Sequence, residues 1–436
     1  MKPVLRIPAY RRLLAAYALN ELAFMIGSVA LALLVYHRTG SALGATAFFL
    51  TAQFVPALIS PMCVARLEHL TPRVVLPALH CLEAVVFVIL AWAASARVSV
   101  AIVLALALLD GVAALAARAL TRAATVAVTS ASGLLREGNA VANAAFSLCF
   151  MLGPALGGAL VGAWGTSAAL LADSALFAII ATTLATARGL PEPGAVDTSP
   201  RGRVRAALAY ARGRPPIRRL LLLHAAGVLF FTISIPVEVV FAQRSLHLGA
   251  AGYGAMLSAW GAGAVAGAAI YARWRSLPSR DLIAFSAAAL GVGFVVMAVA
   301  PSLTVAIVGA ASAGVGNGVV GVASRTAIQE EVGDEWMAMI MSLYDALYQS
   351  VPGAGILLGG AITVLGSPRA ALAVAGIGSL AIATVAWLTL AGLSSRDGFE
   401  PAPAPAEPQG DPARAAAGAD PPRSGPRHDA ARTPAV

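Results

Sequence analysis

Twelve unbroken apolar runs, each long enough to cross a bilayer, decide what this chain can become. A spanning helix needs about 20 mostly apolar residues. Six such runs lie in the first half: Leu13–Tyr36, Leu43–Val64, Val74–Ala96, Val98–Ala117, Val141–Gly165 and Ser167–Ala187. Six more follow: Leu220–Ala242, Tyr253–Ala272, Leu282–Ala300, Leu303–Ala323, Met337–Gly366 and Ala370–Leu393. Membrane β-strands alternate over about 10 residues, and these runs are longer and continuous. Lipid leaves an unclosed chain only the helix, because backbone polar groups find no water there.

Composition agrees. Hydrophobic residues make up 59% and charged residues 12%, against about 25% charged in an ordinary soluble domain. A soluble enzyme, a disordered chain and a disulfide-built secreted domain are excluded. Cys63, Cys81 and Cys149 all fall inside apolar runs without metal-ligand spacing. They read as small buried apolar residues. No cleavage site follows Arg11-Arg12, so no secretory signal is expected.

The net charge of +9 is a topology signal and not a nucleic-acid footprint. With the N-terminus inside, the inner segments up to the last run carry 21 of the 30 Lys and Arg. The tail adds 5, and the outer loops hold only Arg38, Arg97, Arg244 and Arg369. The positive-inside rule then places both termini in the cytoplasm. The organisation expected is a six-helix bundle over 1–187, a basic cytoplasmic loop over 188–217, a second bundle over 218–393 and a disordered Pro-rich tail over 394–436. Arg201–Arg212 reads equally as a short surface helix or as a solvated linker.

The halves repeat each other. Arg11-Arg12-Leu13-Leu14 matches Arg218-Arg219-Leu220-Leu221, and Thr121-Arg122 matches Ser324-Arg325. Leu156-Gly157-Gly158-Ala159 matches Leu358-Gly359-Gly360-Ala361, and Ala168-Ala169-Leu170 matches Ala370-Ala371-Leu372. Two parallel repeats with a midplane site between them are a plan of secondary transporters.

These features resemble the major facilitator superfamily over about residues 10–393. Gly153-Pro154-Ala155-Leu156-Gly157-Gly158 resembles that superfamily's antiporter motif, G-P-x-x-G-G, and falls in the fifth run as the resemblance requires. The stretch Leu135–Gly158 is similar to the enterobactin-exporter-like branch, beside the drug:proton antiporters. The resemblance implies an all-α membrane protein of twelve helices in two pseudo-symmetric bundles, with helices one, four, seven and ten lining a cavity. The loop between helices two and three usually reads G-x-L-x-D-R-x-G-R-R. Here Glu68 and Arg73 keep one acid and one base for a gating contact. The helix-four Arg of many drug antiporters is absent from Ala107–Gly111.

Six acids fall inside the runs: Glu21, Glu83, Asp110, Asp173, Glu238 and Asp345. An ionised carboxylate at mid-bilayer costs at least about 2.5 kcal/mol, so each needs a partner, a proton or water. Asp110, near the midplane, is the leading proton carrier, against a structural hydrogen bond. Glu21 is a substrate or proton ligand, against an interhelical bond. Glu238 gates or neutralises a cationic cargo, against an interfacial acid. Asn143 and Asp345, at matching repeat positions, flank the cavity as a polar pair. Glu83 and Asp173, on helices usually peripheral, take structural roles. Arg122 and Arg325 anchor to headgroups or cap loops. His80, His224 and Gln53 are lone polar groups satisfied by neighbours. No Walker-type phosphate loop is present, and the sole lysine is Lys2.

The expectation is a proton-coupled exporter of a small organic molecule in the plasma membrane, monomeric, without cofactor, metal or nucleic-acid partner. An inward permease or facilitator of the same fold is the alternative, and a non-transporting membrane sensor or scaffold is the other. No enzymatic cluster is present.

Overall fold

The computed structural model describes residues 3–390, apart from 97, 188, 191–207 and 275. The 394–436 tail and most of the Arg201–Arg212 segment lie outside the described residues. Residues 208–213 are helical. Ala211 there is buried, and Tyr210 stacks on Trp336 with ring centroids 4.3 Å apart.

Among the described residues, twelve helices are long and apolar enough to span a membrane. They are α1 (Pro8–Thr39), α2 (Ala42–Leu67), α3 (Pro72–Ser95), α4 (Val100–Ala131), α5 (Glu137–Trp164), α6 (Thr166–Ala185), α7 (Pro215–Ser245), α8 (Ala250–Trp274), α9 (Ser279–Val299), α10 (Leu303–Glu331), α11 (Met339–Leu365) and α12 (Pro368–Thr389). Proline in the first turn starts α1, α3, α7 and α12, where its missing N–H costs nothing. Ser41, Ser99 and Ser367 cap α2, α4 and α12 through their hydroxyls. Gly40, at φ +58°, ends α1 in the left-handed region that suits glycine.

Neighbour relations in the two halves mirror one another. α1 touches α4, α5 and α6, as α7 touches α10, α11 and α12. The pairs α2–α4, α3–α4 and α3–α6 recur as α8–α10, α9–α10 and α9–α12. The matched Arg-Arg-Leu-Leu segments acquire a physical meaning here. Arg12 donates to the Thr186 carbonyl just past α6, and Arg219 donates to the Thr389 carbonyl at the end of α12 at 3.0 Å. In each half, a guanidinium at the start of the first helix satisfies the exposed C-terminus of the last.

Three spans depart from regular α-helix. α2 widens into a π-helical turn at Leu50–Phe54, and α7 does so at Phe241–Ser245. α11 breaks between Ser350 and Pro352. α4 and α10 run past their apolar stretches to Ala131 and Glu331. Asp110 therefore sits in the first half of α4 and not at its midpoint. The belt of exposed Leu, Val, Ile and Trp side chains belongs to a lipid-facing surface. Cys81 lies on that surface and Cys63 and Cys149 are half-buried, which corrects their assignment to the interior.

Candidate transport cavity

Four adjoining hollows lie along the seam between the halves. A hollow of about 180 Å³ belongs chiefly to the first half and includes Asn20, Gly27, Asp110 and Arg118. One of about 150 Å³ belongs to the second half and includes His224, Asn317, Ser324 and Tyr344. A bridging hollow of about 160 Å³ and an aromatic one of about 290 Å³ draw on both halves. Phe231 and Tyr348 line three of the four, and Gln53 lines a different three. Gln53 lies in the π-helical turn of α2. Such turns concentrate at functional sites.

The buried acids of the first half converge from four helices. Glu21 of α1 pairs with Arg118 of α4 at 2.9 Å (Oε1 to Nε), and Arg118 Nη2 donates to Oε2 at 3.3 Å. The same guanidinium lies 5.0 Å from the Phe24 ring centroid. Glu21 itself is buried, and Arg118 carries the pair to the cavity wall. Glu83 of α3 contacts His80 Nδ1 at 2.6 Å, while its Oε1 has no hydrogen-bond partner. Asp110 of α4 lines the cavity with its Oδ1 buried and unpartnered. Asp173 of α6 is wholly buried, and neither oxygen has a partner. Asp110 lies within electrostatic range of both Glu83 and Asp173. A side chain at Gly27 would come within 2.9 Å of Asp173 Oδ2, so the glycine keeps α1 open beside that acid. Asp173 thus makes no stabilising hydrogen bond, contrary to the structural role expected of it.

The second half presents its polar groups differently. Glu238 of α7 lines the aromatic hollow and accepts from Ser234 Oγ at 3.0 Å. His224 stacks on Tyr344 at 3.8 Å and leaves Nε2 buried without a partner. Asp345 of α11 and Arg325 of α10 form an exposed pair at 2.7 Å. Arg325 is therefore held by an acid across two helices, where headgroup anchoring or loop capping was expected. Asn143 is exposed on α5.

The seam is closed at one end. Around the G-P-x-x-G-G stretch, added Cβ atoms at Gly153 and Gly157 would press Met25 and Ile26 of α1 at 2.5 and 3.0 Å. Gly158 instead faces α8, where a Cβ would stand 2.5 Å from the Ala250 carbonyl. Pro154 disturbs the helix ladder, and the Ala155 N–H donates to Ser258 Oγ of α8 at 2.8 Å. Thr46 of α2 meets Gly360 of α11, and His37 of α1 hydrogen-bonds Gln243 of α7 at 3.1 Å. At the other end, where the chain starts and the connection between halves lies, Asn143, Arg325 and Asp345 stay exposed. Glu68 and Arg73 make no ion pair among the described residues. No group of three or more His, Cys, Asp or Glu among the described residues is arranged to hold a metal ion.

Sequence reading gives Gln53 and His224 only as lone polar groups satisfied by neighbours and Asp173 only a structural role, whereas Gln53 lines the cavity and buried polar atoms of His224 and Asp173 lack partners. Each is a lone polar residue in an apolar run, and only the convergence of helices distinguishes it.

The family model described as Major Facilitator Superfamily matches residues 13–356. No curated protein sequence matches the chain. Among solved structures, the nucleoside transporter NupG is 12% identical with a TM-score of 0.70, covering 88% of this chain and 100% of that one. The POT family transporter PepTSo is 12% identical at a TM-score of 0.69, covering 90% and 99%. The human organic anion transporter MFSD10 (TETRAN) is 20% identical at a TM-score of 0.59, covering 87% and 99%. Similarity at these identities establishes a shared fold.

Proposed function

Because this chain belongs to the major facilitator superfamily, and is therefore a multi-pass membrane transporter of small molecules and not an enzyme, we propose that it is a proton-coupled exporter. Its cargo is a small organic molecule such as a drug, siderophore or secondary metabolite. The observation that carries this reading is Asp110, whose Oδ1 is buried and unpartnered in the wall of the cavity between the halves. The packing of the G-P-x-x-G-G stretch against α1 and α8 supports the same assignment.

With both termini cytoplasmic, as the Lys and Arg distribution indicates, the open end faces the cytoplasm. Cargo enters there. Outward opening separates Gly158 from α8, Thr46 from Gly360 and His37 from Gln243, while the splayed end closes. Asp110 then takes a proton from outside. A neutral carboxyl is far less costly to enclose than a charged one, so the protonated carrier returns inward and releases the proton. Cargo and proton act only through their different affinities for the two states.

The test is uptake of antibiotics, dyes and siderophores into inside-out vesicles with an acid-inside gradient. Asp110→Asn is expected to lower gradient-driven uptake by at least about tenfold, as a lost coupling group does. Uptake indifferent to the gradient in the unaltered protein would mark a facilitator and refute the proposal.

A further inference from the structure

The aromatic hollow carries a charge pattern that selects among cargoes. Of the side chains lining it, Glu238 alone carries a carboxyl, and none is basic. Its one hydrogen bond is from Ser234, and among the described residues no Arg or His lies within ion-pair distance. Glu21, Glu83 and Asp345 each have such a base. The walls beside Glu238 are rings. Phe150 and Phe231 lie 4.9 and 5.8 Å from the Trp260 centroid, and Tyr253 completes the wall. Aromatic faces attract a cation through their quadrupoles, Trp most strongly. Carboxylate and rings therefore favour one ligand sign, and both disfavour an anion.

We propose that this hollow is the binding site for an amphipathic organic monocation, an aromatic amine or quaternary ammonium. Glu238 neutralises its charge, and Trp260, Phe231 and Phe150 enclose its apolar body. The proposal rests on the reading of the seam as the cargo path, and it separates two duties. Glu238 recognises cargo, while Asp110, in the adjoining hollow that shares Phe24, Ser28 and Gln53 with this one, couples to protons.

The test is equilibrium binding to the full chain in lipid nanodiscs, which requires neither transport direction nor a gradient. The probes are N-methyl-4-phenylpyridinium and the near-isosteric 4-phenylpyridine, which is uncharged at mildly alkaline pH. The unaltered protein is expected to prefer the cation by about tenfold or more, the scale of a desolvated cation–π and charge contact. Glu238→Gln is expected to remove that preference while binding of the neutral probe persists, which also reports a folded cavity. Glu238→Asp is expected to restore part of it. Equal binding of both probes, no binding of the cation, or an undiminished preference in Glu238→Gln would overturn the proposal. None of these results bears on gradient-driven export of another cargo, so the two readings fail separately.

Discussion

The two halves share their neighbour relations but are packed by different means. In the second half, α8 and α10 meet backbone to backbone. An added Cβ at Gly263 or Gly267 would stand 2.1 or 2.2 Å from a carbonyl of α10. One at Gly314 or Gly318 would stand 2.0 or 2.1 Å from a carbonyl of α8. Small residues let helices approach this closely in lipid, where dispersion and weak C–H···O contacts replace the hydrophobic effect. The equivalent pair in the first half, α2 and α4, has a single such contact, Gly111 against the Ala52 carbonyl. That half instead encloses Glu21, Glu83 and Asp173. Repeated topology therefore leaves packing chemistry free: one half is a tight glycine-lined frame, and the other accommodates charge.

The largest effect expected is at the frame. Gly314→Leu forces a branched side chain into the Trp260 carbonyl, and a loss of more than about 3 kcal/mol, enough to abolish folded protein in detergent chromatography, follows. Gly321→Ala, which meets open space, is the control and should elute normally. A folded Gly314→Leu protein would erase the contrast between the halves.

Next is the buried pair. Glu21→Gln strands the Arg118 guanidinium, which is 31% exposed. A double-mutant cycle with Arg118→Gln should give a coupling of about 1–2 kcal/mol in thermal unfolding, below a fully buried pair because water reaches the arginine. A coupling near zero would reduce the pair to a proximity without energetic weight.

Asp173→Asn sharpens the comparison with the opposite sign. Removing an unpartnered buried acid should leave stability in thermal unfolding unchanged or raise it by up to about 1 kcal/mol. A clear loss of stability would give Asp173 the structural role that its missing hydrogen bonds deny. The smallest effect belongs to the exposed Asp345–Arg325 pair. Asp345→Asn should change stability by less than about 1 kcal/mol, and that little should fade in high salt.

The spans were legible because lipid allows one backbone solution, and an apolar run records it directly. Helix ends were less so. Arg118 and Arg122 interrupt the apolar pattern of α4, yet the helix continues to Ala131. Asp110 and Glu238 could be named from sequence because an acid in a membrane run is conspicuous. Their surroundings could not. Arg118 lies 97 residues from Glu21, and nothing local marks Asp173 as a neighbour of Asp110. Asn143 and Asp345 match in the repeat, but Asp345 is engaged by Arg325 and Asn143 stands free at the open end.

The guanidinium ties from Arg12 to Thr186 and from Arg219 to Thr389 bear on how the protein is made. Each joins the beginning of a half to its end, and neither reaches into the other half. During translation, the first ring can shut as soon as α6 has left the ribosome, before α7 exists. The order of synthesis then becomes an order of assembly, in which a finished first half receives the second along one seam. The only surface left to match is the one that must later come apart and rejoin in every cycle.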